Sequence, residues 1–157
     1  RGFKNSEVAY LEAIKLHPKD YEAHLGLALA LRGQINDVNF VKMLAESSKM
    51  LAQAKQLDPS RPETYYNEAI LVQEFKAREG GAKAEPILQS AKKLFGEFIS
   101  KAGDKPQFAA AVKRSKERME EIDQIIQFNK QTREDQAKAD AERKRREAEA
   151  LKNKGKK

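Results

Sequence analysis

An all-α fold of consecutive helical hairpins follows from three features of the sequence. Apolar residues recur at steps of three and four, the spacing that places them on one helical face. No stretch shows the two-residue alternation or β-branched clustering of a strand. One helical segment also recurs downstream at a fixed offset, the mark of stacked supersecondary units.

The elements follow in order. Val8, Leu11, Leu16 and the intervening alanines predict a short helix ending at His17-Pro18. Leu25, Leu27, Leu29 and Leu31 predict a second from Tyr21 to Arg32, stopped by Gly33. Asn36 or Asp37 is placed to cap a third, in which Phe40, Leu44, Ser47, Leu51 and Ala54 form the stripe, ending at Leu57-Asp58-Pro59. Pro62-Glu63-Thr64 opens a fourth, because proline's missing N–H is harmless in a first turn, and Gly80-Gly81 closes it. Pro86 opens a fifth through Ile87, Ala91, Leu94, Phe95 and Phe98, closed near Gly103, and Pro106 opens the last and longest.

The 157 residues are 39% apolar and 35% charged, with a net charge of +7, enough for one core beneath long exposed helix faces. Cysteine is absent, which excludes disulfides, thiol chemistry and zinc–thiolate sites. No apolar run reaches the roughly 18 residues that span a bilayer. The opening Arg1-Gly2-Phe3-Lys4 has neither an apolar core nor a cleavage signal nor an initiator methionine. The expectation is a chain cut from something longer, which leaves any targeting segment out of view, so cytoplasm and periplasm or cell envelope both stay open. Residues 130–157 hold 11 of the 31 basic and 6 of the 24 acidic residues, so the positive charge is concentrated there.

Tyr10-Leu-Glu-Ala13-Ile-Lys-Leu16-His-Pro18 recurs as Leu51-Ala-Gln-Ala54-Lys-Gln-Leu57-Asp-Pro59. Alanine permits close helix approach, the bulky residue fills the gap between hairpins, and proline ends the helix. On these residues the chain resembles the tetratricopeptide repeat (TPR) family. Ser6, Tyr10, Ala13 and Pro18 fit the pattern's second-helix places, as do Ser47, Leu51, Ala54 and Pro59. His24, Leu27, Ala28 and Leu31 fit the first-helix places of the middle unit; Tyr65, Ala69 and Val72 fit the next, with Glu68 where leucine is expected. The resemblance covers about residues 3–103 and implies an α-solenoid.

Two departures stand out. Pro18 and Pro59 lie 41 residues apart, against about 34 in the usual repeat; the surplus falls between Gly33 and Leu44 and predicts a lengthened second helix. The pattern also begins at a hairpin's second helix, so the resemblance implies an N-terminal edge covered by an upstream repeat or a partner chain. The expected domains are 1–105, TPR-like repeats; 106–129, a capping helix carrying Val112, Ser115, Met119, Ile122, Ile126 and Asn129; and 130–157, a charged helical or disordered tail. In the tail only Ala137, Ala141, Ala148 and Leu151 form a thin stripe, which suits a projecting, partly frayed helix or coiled-coil pairing, with disorder over 152–157.

Residues suited to catalysis do not assemble in the sequence. His17 sits beside a turn proline and His24 takes a packing position. Ser47 and Ser48 lack a nucleophile elbow, Gly80-Gly81 lacks the Lys-Ser/Thr continuation of a phosphate loop, and Glu120, Glu121 and Asp123 lack an apolar pocket. The expectation is a non-enzymatic scaffold or adaptor without cofactor or metal. The resemblance implies a peptide-binding groove lined by Leu25, Leu29, Arg32, Tyr66, Asn67, Ile70, Gln73 and Glu74, and partners that are proteins or peptides. It lacks the lysine-rich clamp of chaperone-binding TPR proteins, and similar lengthened repeats with charged tails occur in bacterial cell-envelope assemblies. The alternative is nucleic-acid or acidic-surface binding through Arg143, Lys144, Arg145 and Arg146; the interleaved acids and the lack of aromatics after Phe128 weigh against it.

Overall fold

The structure, a computed structural model, describes residues 2–154, apart from the side chains of residues 79, 82 and 152–154. Among them all regular structure is helical. The order is α1 (Gly2–Leu16), α2 (Tyr21–Arg32), α3 (Phe40–Leu57), α4 (Pro62–Leu71), α5 (a single turn, Ala77–Glu79), α6 (Ala84–Ala102) and α7 (Ala109–Lys154). A π-helical stretch, Val72–Lys76, joins α4 to α5, and 3₁₀ turns at Gly81–Lys83 and Pro106–Phe108 precede α6 and α7. The chain forms two compact units, Arg1–Glu120 and Glu121–Lys157.

Local chemistry sets the boundaries. The Asp20 carboxylate caps α2, Oδ1 accepting from the Ala23 N–H at 3.1 Å. Removing this acceptor by Asp20→Ala should lower stability by about 1 kcal/mol, read as a shift in the denaturant midpoint at unchanged slope. The expected cap of α3 at Asn36 or Asp37 is corrected. Asn36 Oδ1 accepts from the Val38 and Asn39 N–H groups, and Asn39 Oδ1 accepts from the Asn36 N–H. This reciprocal turn holds 36–39 out of the helix, which opens at Phe40. The surplus residues of the 41-residue interval therefore lie partly in this connection and partly in the 18-residue α3. Helix α6 starts at Ala84, before Pro86, and ends at Ala102, where Gly103 turns to φ +56°; glycine takes this left-handed conformation without a Cβ clash.

Within the first unit, consecutive helices pack against one another. Tyr10 lies over Gly26 and Phe3 over Gly33, so α1 and α2 run antiparallel. A Cβ on Gly26 would fall 2.2 Å from the Tyr10 ring, which is why glycine suits the crossing. Ser47 Oγ donates to the Ala28 carbonyl at 2.9 Å, both residues being buried, and ties α3 to α2. Lys55 pairs with Glu68 at 2.8 Å between α3 and α4, and Phe40 of α3 meets Phe75 of the π-helical stretch. Among the described residues the core includes an apolar cluster of Leu25, Ala28, Leu44, Leu51, Ala54 and Leu71, and another of Tyr65, Phe98 and Ala102, joined by Tyr66, Phe108 and Val112.

Helix α7 runs unbroken for 46 residues. The helix persists where the apolar pattern thins, because Ala, Glu, Lys and Arg are strong helix formers. Its backbone is helical through Lys154, where the sequence suggested irregular chain from 152; residues 155–157 of that expectation lie outside the described residues.

Candidate interaction surface

Alternate helices of the first unit are joined side by side through polar groups. At one end Tyr21 Oη and Thr64 Oγ1 are 2.6 Å apart. Arg61, 4.5 Å over the Tyr21 ring, donates to Glu22 at 2.7 Å and to both Glu63 oxygens at 2.9 and 3.1 Å. Further along, Arg32 Nη1 donates to the Asn67 carbonyl and to Asn67 Oδ1 at 3.4 and 3.1 Å, bridging α2 and α4. Arg118 of α7 donates to Gln73 Oε1 and Glu74 Oε1 at 2.9 and 2.7 Å, extending the row to a third helix.

Five of the eight residues expected in the groove take part in this row or lie beside it: Leu29, half-buried on α2, and Arg32, Asn67, Gln73 and Glu74. The structure buries two of the other three and half-buries the third, Tyr66. Leu25 belongs to the first apolar cluster, Ile70 is buried, and Tyr66 packs against Phe95 and Phe98 with centroids 6.1 and 5.0 Å away. The reason is geometric: helical spacing identifies an inward stripe, while flanking positions become buried only when two neighbours press on the same helix. The π-helical stretch beginning at Val72 further rotates Gln73 and Glu74 away from the register of a regular helix. Arg118 and Arg61 were not singled out from the sequence, because a lone arginine carries no periodic signal; Arg118 reaches Glu74, 44 residues away, and Arg61 reaches Glu22, 39 residues away, besides its near neighbour Glu63.

The electrostatics follow from these contacts. Burial lowers the Arg32 guanidinium below its ordinary pKa; Glu74 and Tyr66 oppose the shift and Arg118 adds to it. Burial pushes the Glu63 carboxyl up, but the Arg61 hydrogen bond, its own backbone bond and the Arg61 and Lys105 charges outweigh that, leaving it below the usual carboxylate value. A carboxylate so depressed contributes stability that is present above its unfolded pKa and lost as pH falls through the folded one. Arg61→Ala should therefore move the Glu63 titration upward and weaken the acid sensitivity it causes, as read by carboxyl-carbon NMR.

His24 is buried, with Nε2–H donating to the Pro18 carbonyl at 2.9 Å, and His17 is exposed. Glu120, Glu121 and Asp123 are exposed. Among the described residues no three His, Cys, Asp or Glu side chains are grouped to hold a metal ion, and no helix is long and apolar enough to cross a membrane.

In the second unit the charged side chains of α7 pair along their own helix. Arg143 faces Asp140 at 3.4 Å and Glu147 at 4.0 Å, Arg145 faces Glu149 at 3.2 Å, and Arg146 bonds Glu142. Three of the four basic residues singled out in the tail thus already have acidic partners, while Lys144 is exposed. Such exposed pairs contribute a few tenths of a kcal/mol each and are screened by salt. Amide exchange over residues 130–151 should accelerate in molar salt, while the first unit, held by apolar packing, should not follow. Comparison with protein-family models, with curated proteins and with solved structures finds no match for this chain.

Proposed function

We propose that residues 2–103 are TPR-like hairpins stacked in a solenoid, and that the chain is a non-catalytic adaptor that binds a protein or peptide partner across the face shared by α2 and α4. The observation that carries this reading is the polar row of Arg32, Asn67, Gln73 and Glu74 beside half-buried Leu29, reached by Arg118 from α7. Rigid helices hold these donors and acceptors in fixed positions, the condition for reading an extended peptide without a large ordering penalty. The small positions of the repeat also support it: Ala28, Ala54, Ala69 and Ser47 are fully buried, where close helix approach requires them.

Leu29→Asp, which leaves both core clusters intact, should weaken capture of the cognate partner at least tenfold with little change in unfolding midpoint, and a chain ending at residue 129 should retain capture. Unchanged capture by the aspartate variant would discard this face. Nucleic-acid binding should be feeble and should disappear between low and physiological salt, since intrahelical acids pair with tail arginines and dilute their field. Tight binding lost with residues 130–157 would transfer the function to the tail.

A further inference from the structure

Helix α7 presents an apolar pair to solvent in mid-helix. Ile125 is 43% and Phe128 71% exposed, and with Glu121 and Gln124 they line a shallow cleft. A second cleft lies further along the second unit, lined by Ala139, Glu142, Arg143, Arg146 and Glu147. The two clefts share one helical face. Ile125, Thr132, Ala139 and Arg146 recur at seven-residue steps, as do Glu121, Phe128, Asp135 and Glu142, the two interleaved rows of a two-helix seam. All eight are exposed. The thin stripe of Ala137, Ala141, Ala148 and Leu151 falls on the opposite side of the helix, so the face with the large apolar side chains is a different one.

We propose that this face is a self-association site, on which α7 of a second copy docks antiparallel. Charge selects both the occupant and its direction. A parallel pair would set Glu121, Asp135, Glu142 and Arg146 each against its own counterpart, like charge on like charge. Reversing one helix removes all four conflicts. Facing residues then pair as Glu121 with Arg146, Ile125 with Glu142, Phe128 with Ala139 and Thr132 with Asp135, each pair occurring twice by symmetry. The large Phe128 ring meets the smallest residue of the seam, and an acid meets a base at each end. Arg146 bonds Glu142 of its own helix through Nη2, which leaves its other N–H donors for Glu121 of the second copy. With Ile125 and Phe128 as its large apolar residues, the seam makes a weak dimer that forms as concentration rises.

The chain has no cysteine, so introduced ones report the register. In the antiparallel seam position 124 of one copy flanks position 145 of the other, and each lies far from its own counterpart. Mixing full-length Gln124→Cys and Arg145→Cys chains under mild oxidation should give a mixed disulfide dimer, while Ala139→Cys alone should stay unlinked. Self-linking of Ala139→Cys overturns the orientation in favour of a parallel pair, and absence of the mixed product overturns the register. Sedimentation equilibrium of the parent chain should show a monomer–dimer equilibrium. Phe128→Glu should weaken it about tenfold or more without moving the unfolding midpoint, since Phe128 is exposed in the single chain. A parent chain that stays monomeric at every concentration, or a dimer indifferent to Phe128→Glu, overturns the site.

Discussion

Replacing Phe98 by alanine is expected to lower the unfolding free energy by about 3–5 kcal/mol, measured by equilibrium denaturation. Phe98 is 1% exposed, and its ring lies 5.0 Å from Tyr66 and 6.1 Å from Phe108. It therefore joins α6 to α4 and to the turn that leads into α7. Truncation removes its transfer free energy, leaves a cavity that rigid helices refill poorly, and abolishes an edge-to-face ring contact. Phe98→Leu retains most of the volume and should lose much less. Equal losses for the two substitutions would mean that ring packing is not what holds this hairpin.

Leu51→Ala should cost about 2–5 kcal/mol. Leu51 is 2% exposed in the cluster where α2, α3 and α4 meet, with Leu25, Leu44 and Leu71. The corresponding truncation at Tyr10 should cost clearly less, because Tyr10 is only half-buried and covers Gly26 from one side. The contrast between these sequence-equivalent positions measures how much of the repeat's stability comes from the second flanking helix. The clusters around Leu51 and Phe98 share no residue, so the two losses should add to within about 0.5 kcal/mol.

Helices were legible wherever punctuation and periodicity agreed. Tyr21 and Gly33 bounded α2 correctly, and Pro62 opened α4, because a glycine stop and a first-turn proline act through the local backbone alone. The start of α3 was misplaced because Asn36 and Asn39 satisfy one another in a turn, an outcome that depends on a pair of side chains rather than on either as a cap. The π-helical stretch at Val72–Lys76 left no mark in the residue types. On the candidate surface, Tyr66, expected to line the groove, is half-buried against Phe95 and Phe98 of α6, while Arg118 completes the polar row from a helix assigned only to capping. Polar links between elements distant in sequence depend on tertiary register, to which a helical pattern is blind.

On the proposed reading, binding runs across α2 and α4 of the first unit. Its most direct test places a photo-crosslinking amino acid in the full chain at position 29, 73, 49 or 144 in turn and maps the adducts formed with the partner. Adducts are expected from 29 and 73 and none from 49, exposed on α3, or from 144, in the tail. Adducts from 49 or 144 with 29 and 73 silent would contradict it.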